Sequence, residues 1–281
     1  MVLSFADVKD KVCVITGGCG VLGGVFSQAL LDAGAKVAIL DYKKGRCEDC
    51  ARGLAAKSGK DVLCAVANVL DKESLIEAKK HINKHLGKVD VLLNGAGGNS
   101  PKATCANEFL TAENMSDLSK SFFGLDIEGF RSVFDLNFLG TVLPAMVFAE
   151  DMIGRGGSVI NFSSMSAFRP LTKIPAYSAA KASVNNLTEW LAVHFAKVNV
   201  RVNAIAPGFF LTNQNRFLLT DEKTGELTER GHKIIAGTPM GRFGEPEELL
   251  GTLFFLISDL SKFVTGVIVP VDGGFNAYSG V

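Results

Sequence analysis

The sequence of 281 residues lacks an excess of charge of either sign, because Lys and Arg number 29 and so do Asp and Glu. A nucleic-acid-binding surface needs a basic excess, so this balance argues against a nucleic-acid partner. Residues 1–11 lack the basic start and the apolar stretch of a signal peptide. The longest uncharged apolar stretch, 138–149, contains Pro144 and is too short to cross a bilayer. We therefore expect a cytoplasmic protein with no membrane partner.

The six cysteines lack the spacing of a metal site. Cys47 and Cys50 form a C-x-x-C motif, but a structural zinc site needs a second Cys or His pair at matching spacing, and the sequence has none. A redox role would place such a pair at a reactive helix start in a thioredoxin-like unit. We interpret both as incidental cysteines on a surface helix, and His81 and His85 as part of a solvated, lysine-rich helix face. The other cysteines are expected to be free thiols of a reducing compartment: Cys13, Cys19, Cys64 and Cys105.

The chain has no internal repeat, low-complexity run or linker, which predicts a single domain over residues 1–281. Short apolar segments without polar alternation recur between helix-like segments, as in a parallel sheet covered by helices on both faces. Predicted strands cover residues 12–15, 36–40, 62–67, 89–93, 158–162, 200–204 and 267–271. Predicted helices cover residues 23–33, 47–58, 72–86, 130–153, 177–197 and 246–258. The predicted fold class is α/β, a Rossmann-type doubly wound parallel sheet of seven strands.

Two polar segments interrupt this alternation, one over residues 97–125 after the fourth predicted strand and one over 209–245 after the sixth. Both follow the carboxyl ends of strands, where open parallel sheets bind their ligands. Long loops inside a compact domain usually have a function. We therefore expect these two segments to form the substrate loops.

A glycine-rich segment, TGGCGVLGG at residues 16–24, joins the first predicted strand to the first predicted helix. Gly18, Gly20 and Gly23 fit the fingerprint of a dinucleotide-binding turn, which lets a pyrophosphate approach bare backbone at a helix N-terminus. Asp41 ends the second predicted strand, where a carboxylate binds the adenine ribose hydroxyls and repels a 2′-phosphate, so NAD is the preferred cofactor. NADP is the alternative, because three basic residues follow: Lys43, Lys44 and Arg46.

A second group of polar residues lies in the later half of the chain. Tyr177 and Lys181 stand four apart at the start of a predicted helix, so both point to one face. That spacing alone is not specific. Ser164 sharpens the pattern, because it follows the fifth predicted strand at the sheet edge beside this helix. Asn137 lies within the preceding predicted helix, where it could also be a packing residue.

Taken in order, these motifs resemble the short-chain dehydrogenase/reductase family over essentially the full length of the chain. Two positions depart from the family pattern. Val21 stands where a glycine is usual, so Gly20 is expected to provide the close backbone approach, and Asn68 stands where Asp is common. The residues that carry the resemblance are Thr16, Gly17, Gly23, Asn94, Gly95, Ala96, Gly97, Asn137, Ser164, Tyr177, Lys181, Pro207, Gly208 and Thr212.

The resemblance implies an NAD(P)-dependent oxidoreductase that interconverts a secondary alcohol and a ketone. Tyr177 would be the general acid/base, although an ordinary phenol is too basic for that near neutral pH. The ammonium group of Lys181, helped by the positive nicotinamide ring of the cofactor, would lower the pKa of Tyr177, and it would also hold the nicotinamide ribose. Ser164 would hydrogen-bond the reacting oxygen, and Asn137 would position a water for proton relay.

The resemblance also implies which residues contact the cofactor. Residues 94–97 would border the adenine-side ribose. Pro207, Gly208 and Thr212 would close over the nicotinamide, although Thr212 could be a simple loop hydroxyl. The full expected set is Gly17, Gly18, Gly20, Val21, Leu22, Gly23, Asp41, Asn68, Val69, Asn94, Gly95, Ala96, Gly97, Tyr177, Lys181, Pro207, Gly208, Phe210 and Thr212. No metal is expected.

The substrate has to be inferred from loop residues. Arg169 lies between Ser164 and Tyr177, and an arginine there suits a carboxylate bound through both guanidinium nitrogens. Amides such as Asn99 and Gln214 suit a polyol. The expected substrate-binding residues are Asn99, Lys102, Ser164, Arg169, Gln214 and Arg216. Four phenylalanines could instead line an apolar pocket for a steroid or acyl substrate: Phe168, Phe209, Phe210 and Phe217.

Five stretches resemble a subgroup of the family that interconverts D-mannonate and D-fructuronate: residues 94–104, 163–181, 206–216, 238–253 and 269–281. The alternatives are gluconate 5-dehydrogenase or another polyol or sugar-acid dehydrogenase.

Two further alternatives are an extended-type enzyme and a regulator. An extended-type epimerase or dehydratase needs a larger substrate domain than the chain after residue 207 supplies. A non-catalytic cofactor-binding regulator would be expected to lose Tyr177 or Lys181. The family resemblance also implies a homo-oligomer, a tetramer or dimer, with helices 140–153 and 177–197 as interface candidates.

Overall fold

A computed structural model describes residues 5–211, 219–221 and 224–280. Its elements follow in the order β1 (Val12–Thr16), α1 (Val21–Asp32), β2 (Lys36–Asp41), α2 (Lys44–Ser58), β3 (Val62–Val66), α3 (Lys72–His85), β4 (Val91–Asn94), α4 (Ile127–Asn137), α5 (Leu139–Phe148), β5 (Gly157–Phe162), α6 (Pro175–Phe195), β6 (Val200–Pro207), α7 (Glu229–Ala236), α8 (Leu250–Ile257) and β7 (Ile268–Val271). Short 3₁₀ turns lie at Ala6–Val8, Pro101–Ala103, Leu118–Lys120, Phe122–Gly124, Ala149–Met152, Met165–Ala167, Ala196–Val198, Pro246–Leu249 and Asp259–Ser261.

The seven strands form one parallel sheet in the order β3-β2-β1-β4-β5-β6-β7. Strands β1 and β4 are buried along their whole length, which explains why their apolar residues follow one another without alternation. The chain reverses its direction of strand addition between β1 and β4, and open α/β sheets bind ligands at such a switch point. The predicted α/β fold class with a doubly wound, seven-stranded parallel sheet is confirmed.

Each face of the sheet has its own buried core. On one face Phe26 and Leu30 of α1 pack with Leu253 of α8. On the other, Ile82 of α3 packs with Phe148 of α5. Burying one such side chain contributes roughly 1.5–3 kcal/mol. The two cores therefore hold the strands firmly and fix the positions of the residues at their carboxyl ends.

The predicted helix over residues 130–153 is two helices. It starts earlier than predicted because the carboxylate of Asp126 caps α4 by accepting the N–H of Gly129. Helix α4 ends at Asn137, and Phe138, with φ −97° and ψ −61°, is the junction from which α5 continues. Pro144 lies inside α5 and has no N–H to donate. The predicted helix 177–197 likewise starts earlier, at Pro175, because proline suits the first turn.

The two polar segments differ in how they pack. The first is tied to the loop before α6, since the N–H of Cys105 donates to the carbonyl of Lys173 at 2.8 Å. The second contains α7, whose first turn is capped by the hydroxyl of Thr228, which accepts from Gly231 at 3.1 Å. Four residues named from the sequence lie outside the described residues: Thr212, Gln214, Arg216 and Phe217.

The cysteine predictions are wrong at two positions. Cys47 is buried on the sheet-facing side of α2 and forms a disulfide with Cys64 of β3. Neither is therefore a free thiol, and Cys47 is not on the surface, because the buried stripe of α2 starts at this residue. The argument for a reducing compartment does not hold for this pair. The other cysteines are free: Cys13, Cys19, Cys50 and Cys105.

The histidine pair lies on an exposed face of α3, with Nδ1 of His85 2.8 Å from the carbonyl oxygen of His81. Over residues 5–211, 219–221 and 224–280, no group of three or more His, Cys, Asp or Glu side chains is arranged to hold a metal ion.

One helical segment, Ile127–Met152, is long and apolar enough to cross a membrane by length and composition. Its most apolar window has a mean hydropathy of 1.5, and half of that window is buried inside the fold. The core helix of a protein that does not enter a membrane passes the same test. Because Phe148 in this segment is fully buried against the sheet, we interpret the segment as part of the core.

Candidate active site

The glycine-rich turn after β1 leaves bare backbone at the N-terminus of α1. Gly17 has φ +65°, a conformation that L side chains rarely adopt. A Cβ on Gly23 would come within 2.4 Å of the carbonyl oxygen of Gly17, so only glycine lets the helix pack this closely. Helix α1 begins at Val21, directly after Gly20. No side chain caps the N–H groups of its first turn, which includes Val21 and Leu22. Free N–H groups at a helix N-terminus fit a pyrophosphate.

The ribose end of this cleft carries one acidic and one basic group. Asp41, at the carboxyl end of β2, is buried, and its Oδ1 accepts the N–H of Lys43 at 3.1 Å. Arg46 on α2 places Nη1 3.7 Å from Oδ2 of Asp41 and donates from Nη2 to the carbonyl of Cys19 at 2.9 Å. The guanidinium therefore joins the glycine-rich turn to the carboxylate. Both lie where an adenine ribose or its 2′-phosphate would be recognised.

The residues expected along the adenine side come from two places, the segment that follows β4 and the segment that follows β3. The backbone of residues 95–97 lies close to the end of β1, where the N–H of Ala96 donates to Oγ1 of Thr16 at 3.2 Å. Asn68 is exposed at the end of β3, and its Oδ1 accepts the N–H of Leu70 at 3.0 Å. Val69 is buried, with Cγ2 3.1 Å from where a Cβ on Gly140 would lie.

Asn94 does not offer its side chain to the cleft. It is 1% exposed, and its Nδ2 donates to Oδ1 of Asn161 at 2.9 Å, inside the core. The side chain of Asn94 therefore faces the core, and a contact between its backbone and the ribose stays a prediction. The physical reason is that the end of β4 is covered on both sides by β1 and β5, so a polar residue there must find partners within the sheet layer.

The structure brings Ser164, Tyr177 and Lys181 together in one cleft of about 290 Å³ at the carboxyl edge of the sheet. Ser164 follows β5, and its Oγ accepts the N–H of Ser166 at 3.2 Å. Tyr177 is half-buried in the first turns of α6, and Nζ of Lys181 lies 5.6 Å from the centroid of its ring. The cleft also contains Pro207 and Gly208, which were expected to close over the nicotinamide. Two further residues of the expected cofactor set lie there, Phe210 and Gly97, the latter expected on the adenine side.

The protein's own groups do not lower the pKa of the phenol. Burial raises the pKa of Tyr177 from its ordinary value, and the hydrogen bond with Ser164 opposes this only in part. Lys181 is buried, donates to the carbonyl of Phe162 at 2.6 Å, and has its own pKa lowered by burial to about 8. Lys181 is not among the groups that shift the pKa of this phenol, so an acidifying effect of its ammonium together with the positive nicotinamide ring stays a prediction.

Asn137 braces the wall of the cleft. It is fully buried at the end of α4, and its Nδ2 donates to the carbonyl oxygens of Gly98 at 2.6 Å and Val133 at 2.8 Å. Its Oδ1 accepts the N–H of Gly98 at 3.2 Å. Both donors of the amide are therefore used within the protein. A proton relay through a water at Asn137 stays a prediction.

The residues expected to bind substrate are only partly brought together. Arg169 lines a second cavity of about 470 Å³, which adjoins the catalytic cleft because Phe209 lines both. Asn99 instead donates to Oγ1 of Thr104 at 2.9 Å within its own loop. Lys102 packs beside Gly129, so that a Cβ added to Gly129 would lie 2.6 Å from the Cβ of Lys102. Neither Asn99 nor Lys102 lines this cavity or the cleft.

The second cavity contains charged residues that the sequence did not single out. Lys173 lies on the loop before α6, and Arg230 and Lys233 lie on α7. Glu108 and Glu229 complete its charged lining. The sequence signal that could have found this cavity is the pair Arg230 and Lys233, two basic residues three apart. Both lie near the start of α7, within the second polar segment, and therefore on one helix face.

Comparisons with known proteins agree with this geometry. A family model described as enoyl-(acyl carrier protein) reductase, of the short-chain dehydrogenase type, matches residues 21–276. The chain belongs to the short-chain dehydrogenase/reductase family. It is 51% identical over 278 residues to UxuB of Bacillus subtilis, an uncharacterised oxidoreductase, with 98% of each chain covered.

Two solved structures of the family are also similar. One, with bound NAD, is of a protein from Haemophilus influenzae proposed to be a D-mannonate oxidoreductase; it has a TM-score of 0.93, 49% identity and 99% coverage of both chains. The other is a gluconate 5-dehydrogenase from Burkholderia cenocepacia in complex with NADP and tartrate, with a TM-score of 0.79, 26% identity and 96% coverage of both chains. The protein is thus an oxidoreductase of the alcohol dehydrogenase and ketone reductase type with a pyridine nucleotide cofactor.

Proposed function

We propose that this short-chain dehydrogenase interconverts a secondary alcohol and a ketone of a sugar acid, most specifically D-mannonate and D-fructuronate. The observation that carries the proposal is the basic cavity containing Arg169 next to the cleft of Ser164 and Tyr177. A carboxylate held there would leave a hydroxyl-bearing carbon of the same molecule within reach of the cleft. The similarity to the Haemophilus protein supports the same substrate.

NAD is the proposed preferred cofactor, with NADP as the alternative. Its pyrophosphate would lie on the free N–H groups at the start of α1, and Asp41 would bind the adenine ribose. The buried carboxylate of Asp41 supports NAD, whereas the guanidinium of Arg46 beside it would bind the 2′-phosphate of NADP. When bound, the nicotinamide supplies or takes up the hydride.

The residues of the cleft have separable roles in the proposed reaction. Ser164 donates a hydrogen bond to the reacting oxygen and orients it. Tyr177 gives a proton to that oxygen in reduction and removes it in oxidation. Lys181, held by the carbonyl of Phe162, binds the nicotinamide ribose and places a positive charge near the phenol when it is protonated. Asn137 keeps the backbone of Gly98, which also lines the cleft, in place.

We also propose that the protein is cytoplasmic and forms a homo-oligomer, either a tetramer or a dimer. Large apolar side chains are exposed on α5 and α6, the helices named as interface candidates: Leu139, Met146, Trp190 and Val193. Burying them between subunits would remove apolar surface from water. Light scattering on an eluting gel-filtration peak measures the mass. A monomeric mass would reject this part of the proposal.

A panel of sugar acids and their keto forms, each with NADH/NAD and NADPH/NADP, tests the substrate and cofactor. Absorbance of the reduced nicotinamide follows turnover. We expect the highest kcat/KM for D-mannonate and D-fructuronate with NAD and NADH. A higher kcat/KM for gluconate and its 5-keto form would assign the neighbouring activity instead, and turnover of steroids or acyl substrates in place of sugar acids would reject the proposal.

A further inference from the structure

The cavity beside the catalytic cleft is unusually rich in cations. Four basic side chains line it, and only two acidic ones accompany them. The basic residues are Arg169, Lys173, Arg230 and Lys233, and the acidic residues are Glu108 and Glu229. The cavity therefore has a net positive lining, which favours an anionic ligand.

Both carboxylates of the cavity are already paired with one lysine. Nζ of Lys233 lies 3.0 Å from Glu108 and 3.1 Å from Glu229. The hydrogen bond from Lys233 is the main reason that the pKa of Glu108 is lowered. Glu108 also accepts from Thr172 at 3.4 Å. The contacts of Lys233, Glu108 and Thr172 therefore link three walls of the cavity: α7, the first polar segment and the loop before α6.

The two arginines have no such partner. Within the part of the chain that the structure describes, neither the guanidinium of Arg169 nor that of Arg230 forms a hydrogen bond or ion pair. They come from different segments, Arg169 from the loop after β5 and Arg230 from the first turn of α7. A guanidinium presents a planar set of donors that matches the two oxygens of a carboxylate.

We infer that Arg230 is a specificity-determining residue whose guanidinium, together with that of Arg169, binds the carboxylate of the substrate. This inference rests on the proposed function and names the second group that recognises the acid. Phe209 lines both the cavity and the cleft, and its ring meets that of Phe275 with 5.3 Å between centroids. The carbon chain of the substrate would cross at Phe209, with its carboxylate between the arginines and its hydroxyl at Ser164 and Tyr177.

The lysines of the cavity are less suited to this role. Lys233 is occupied by two carboxylates, and the charge of Lys173 contributes to the lowered pKa of Glu108, so Lys173 also faces an acid. A lysine offers a point charge without the planar fork. The pairing pattern therefore leaves Arg169 and Arg230 as the groups whose charge a substrate would neutralise.

The test compares an acid with its neutral isostere. The kcat/KM values of D-mannonate and D-mannonamide, which differ only in replacing the carboxylate by an amide, are measured for the wild type, Arg230→Gln and Arg230→Lys. We expect Arg230→Gln to reduce the preference for the acid by about tenfold or more, the loss of roughly one charge-assisted bidentate contact. Arg230→Lys should recover part of the preference, and kcat for the amide should change little.

A matched control is Arg52→Gln, because Arg52 is a highly exposed arginine on α2 that lines neither cavity. NADH titration by fluorescence shows whether each variant is folded and binds its cofactor. An Arg230→Gln variant that binds NADH normally and keeps the wild-type preference for the acid would overturn the inference and leave the proposed function standing. A wild type that prefers a different sugar acid would change the proposed substrate, and the same comparison is then made with that acid and its amide. A wild type that prefers no acid over its amide would reject the acid substrate itself.

Discussion

Lys181 donates a hydrogen bond of 2.6 Å from Nζ to the carbonyl oxygen of Phe162, the last residue of β5. The bond fixes the amine at the end of the strand that leads to Ser164, below the ring of Tyr177. It also holds the amine in a buried position, where its pKa falls from 10.5 to about 8. The group that must be a cation for its family role therefore remains mostly protonated at neutral pH, by a smaller margin than an ordinary lysine.

The lowered pKa of Lys181 predicts how stability depends on pH. Below about pH 8 the lysine is protonated in both the native and unfolded protein, and above 10.5 in neither. Between these values the unfolded protein binds more protons, so the free energy of unfolding contributed by this group rises with pH. Relative to Lys181→Met, the wild type should gain on the order of 1 kcal/mol per pH unit over this window. Urea unfolding of both proteins at several pH values measures it, and a constant difference would contradict the buried, weakly basic amine.

Replacing Tyr177 by Phe removes the phenolic hydroxyl and keeps the ring. We expect kcat/KM to fall by roughly 10²–10⁴-fold, the usual contribution of a general acid or base, while the affinity for NADH stays within about twofold. The control is Tyr278→Phe, since Tyr278 is exposed and lines neither cavity. Stopped-flow hydride transfer and NADH fluorescence measure the two quantities. Unchanged hydride transfer in Tyr177→Phe would exclude Tyr177 from the reaction.

The sequence predicted those parts of the molecule that depend on local pattern. Buried parallel strands show as continuous apolar runs, so the sheet was predictable, and the tyrosine and lysine four apart were expected on one helix face. Asn94 and Cys47 show the limit of this reasoning. Each looked like a site or surface residue, and each is buried with a partner distant in sequence, Asn161 and Cys64. Such long-range pairs leave no local periodic signal.

The substrate cavity was the part least open to prediction. Arg169 could be proposed because it lies between Ser164 and Tyr177, but Arg230 lies in a later segment that only the fold brings to the same cavity. Asn99 looked equally suitable by residue type, and its amide is used within its own loop. Residue type predicts what a side chain can bind, whereas its partners in the fold decide whether it is free to do so.

Substitutions of Asp41 and of Arg46 are expected to shift the preference between NADPH and NADH in opposite directions. Replacing Asp41 by Ala removes the carboxylate that repels a 2′-phosphate and leaves the guanidinium of Arg46 without its carboxylate partner. We expect the ratio of kcat/KM for NADPH to that for NADH to rise by about tenfold or more, a gain of one charge-assisted contact. Arg46→Ala should lower the same ratio. If both substitutions move the ratio in one direction, Asp41 and Arg46 do not share the ribose site.

Cys50 is expected to be the most reactive thiol among the described cysteines. Its pKa is lowered to about 7, mainly by a hydrogen bond from Cys19, with the charge of Arg46 adding to the effect. The pKa of buried Cys13 is instead raised to about 12 by burial. Iodoacetamide at pH 7.5 should therefore label Cys50 first, and NADH should slow the labelling because Cys19 lies in the glycine-rich turn. Peptide mass analysis identifies the site, with Cys50→Ser as control. Faster labelling of Cys13 would contradict this order.

Asn137→Ala tests whether this side chain braces the cleft. The substitution removes three hydrogen bonds and leaves the N–H and carbonyl of Gly98 without their amide partner. We expect the free energy of unfolding to fall by about 2–4 kcal/mol and the affinity for NADH to weaken, because the loop of Gly98 borders the cofactor cleft. Asn186→Ala, at an exposed position of α6, should change it by less than about 0.5 kcal/mol. Urea unfolding and NADH titration measure both effects. If Asn137→Ala lost turnover but kept its stability and its affinity for NADH, the amide would act on the reaction itself, as the water relay requires.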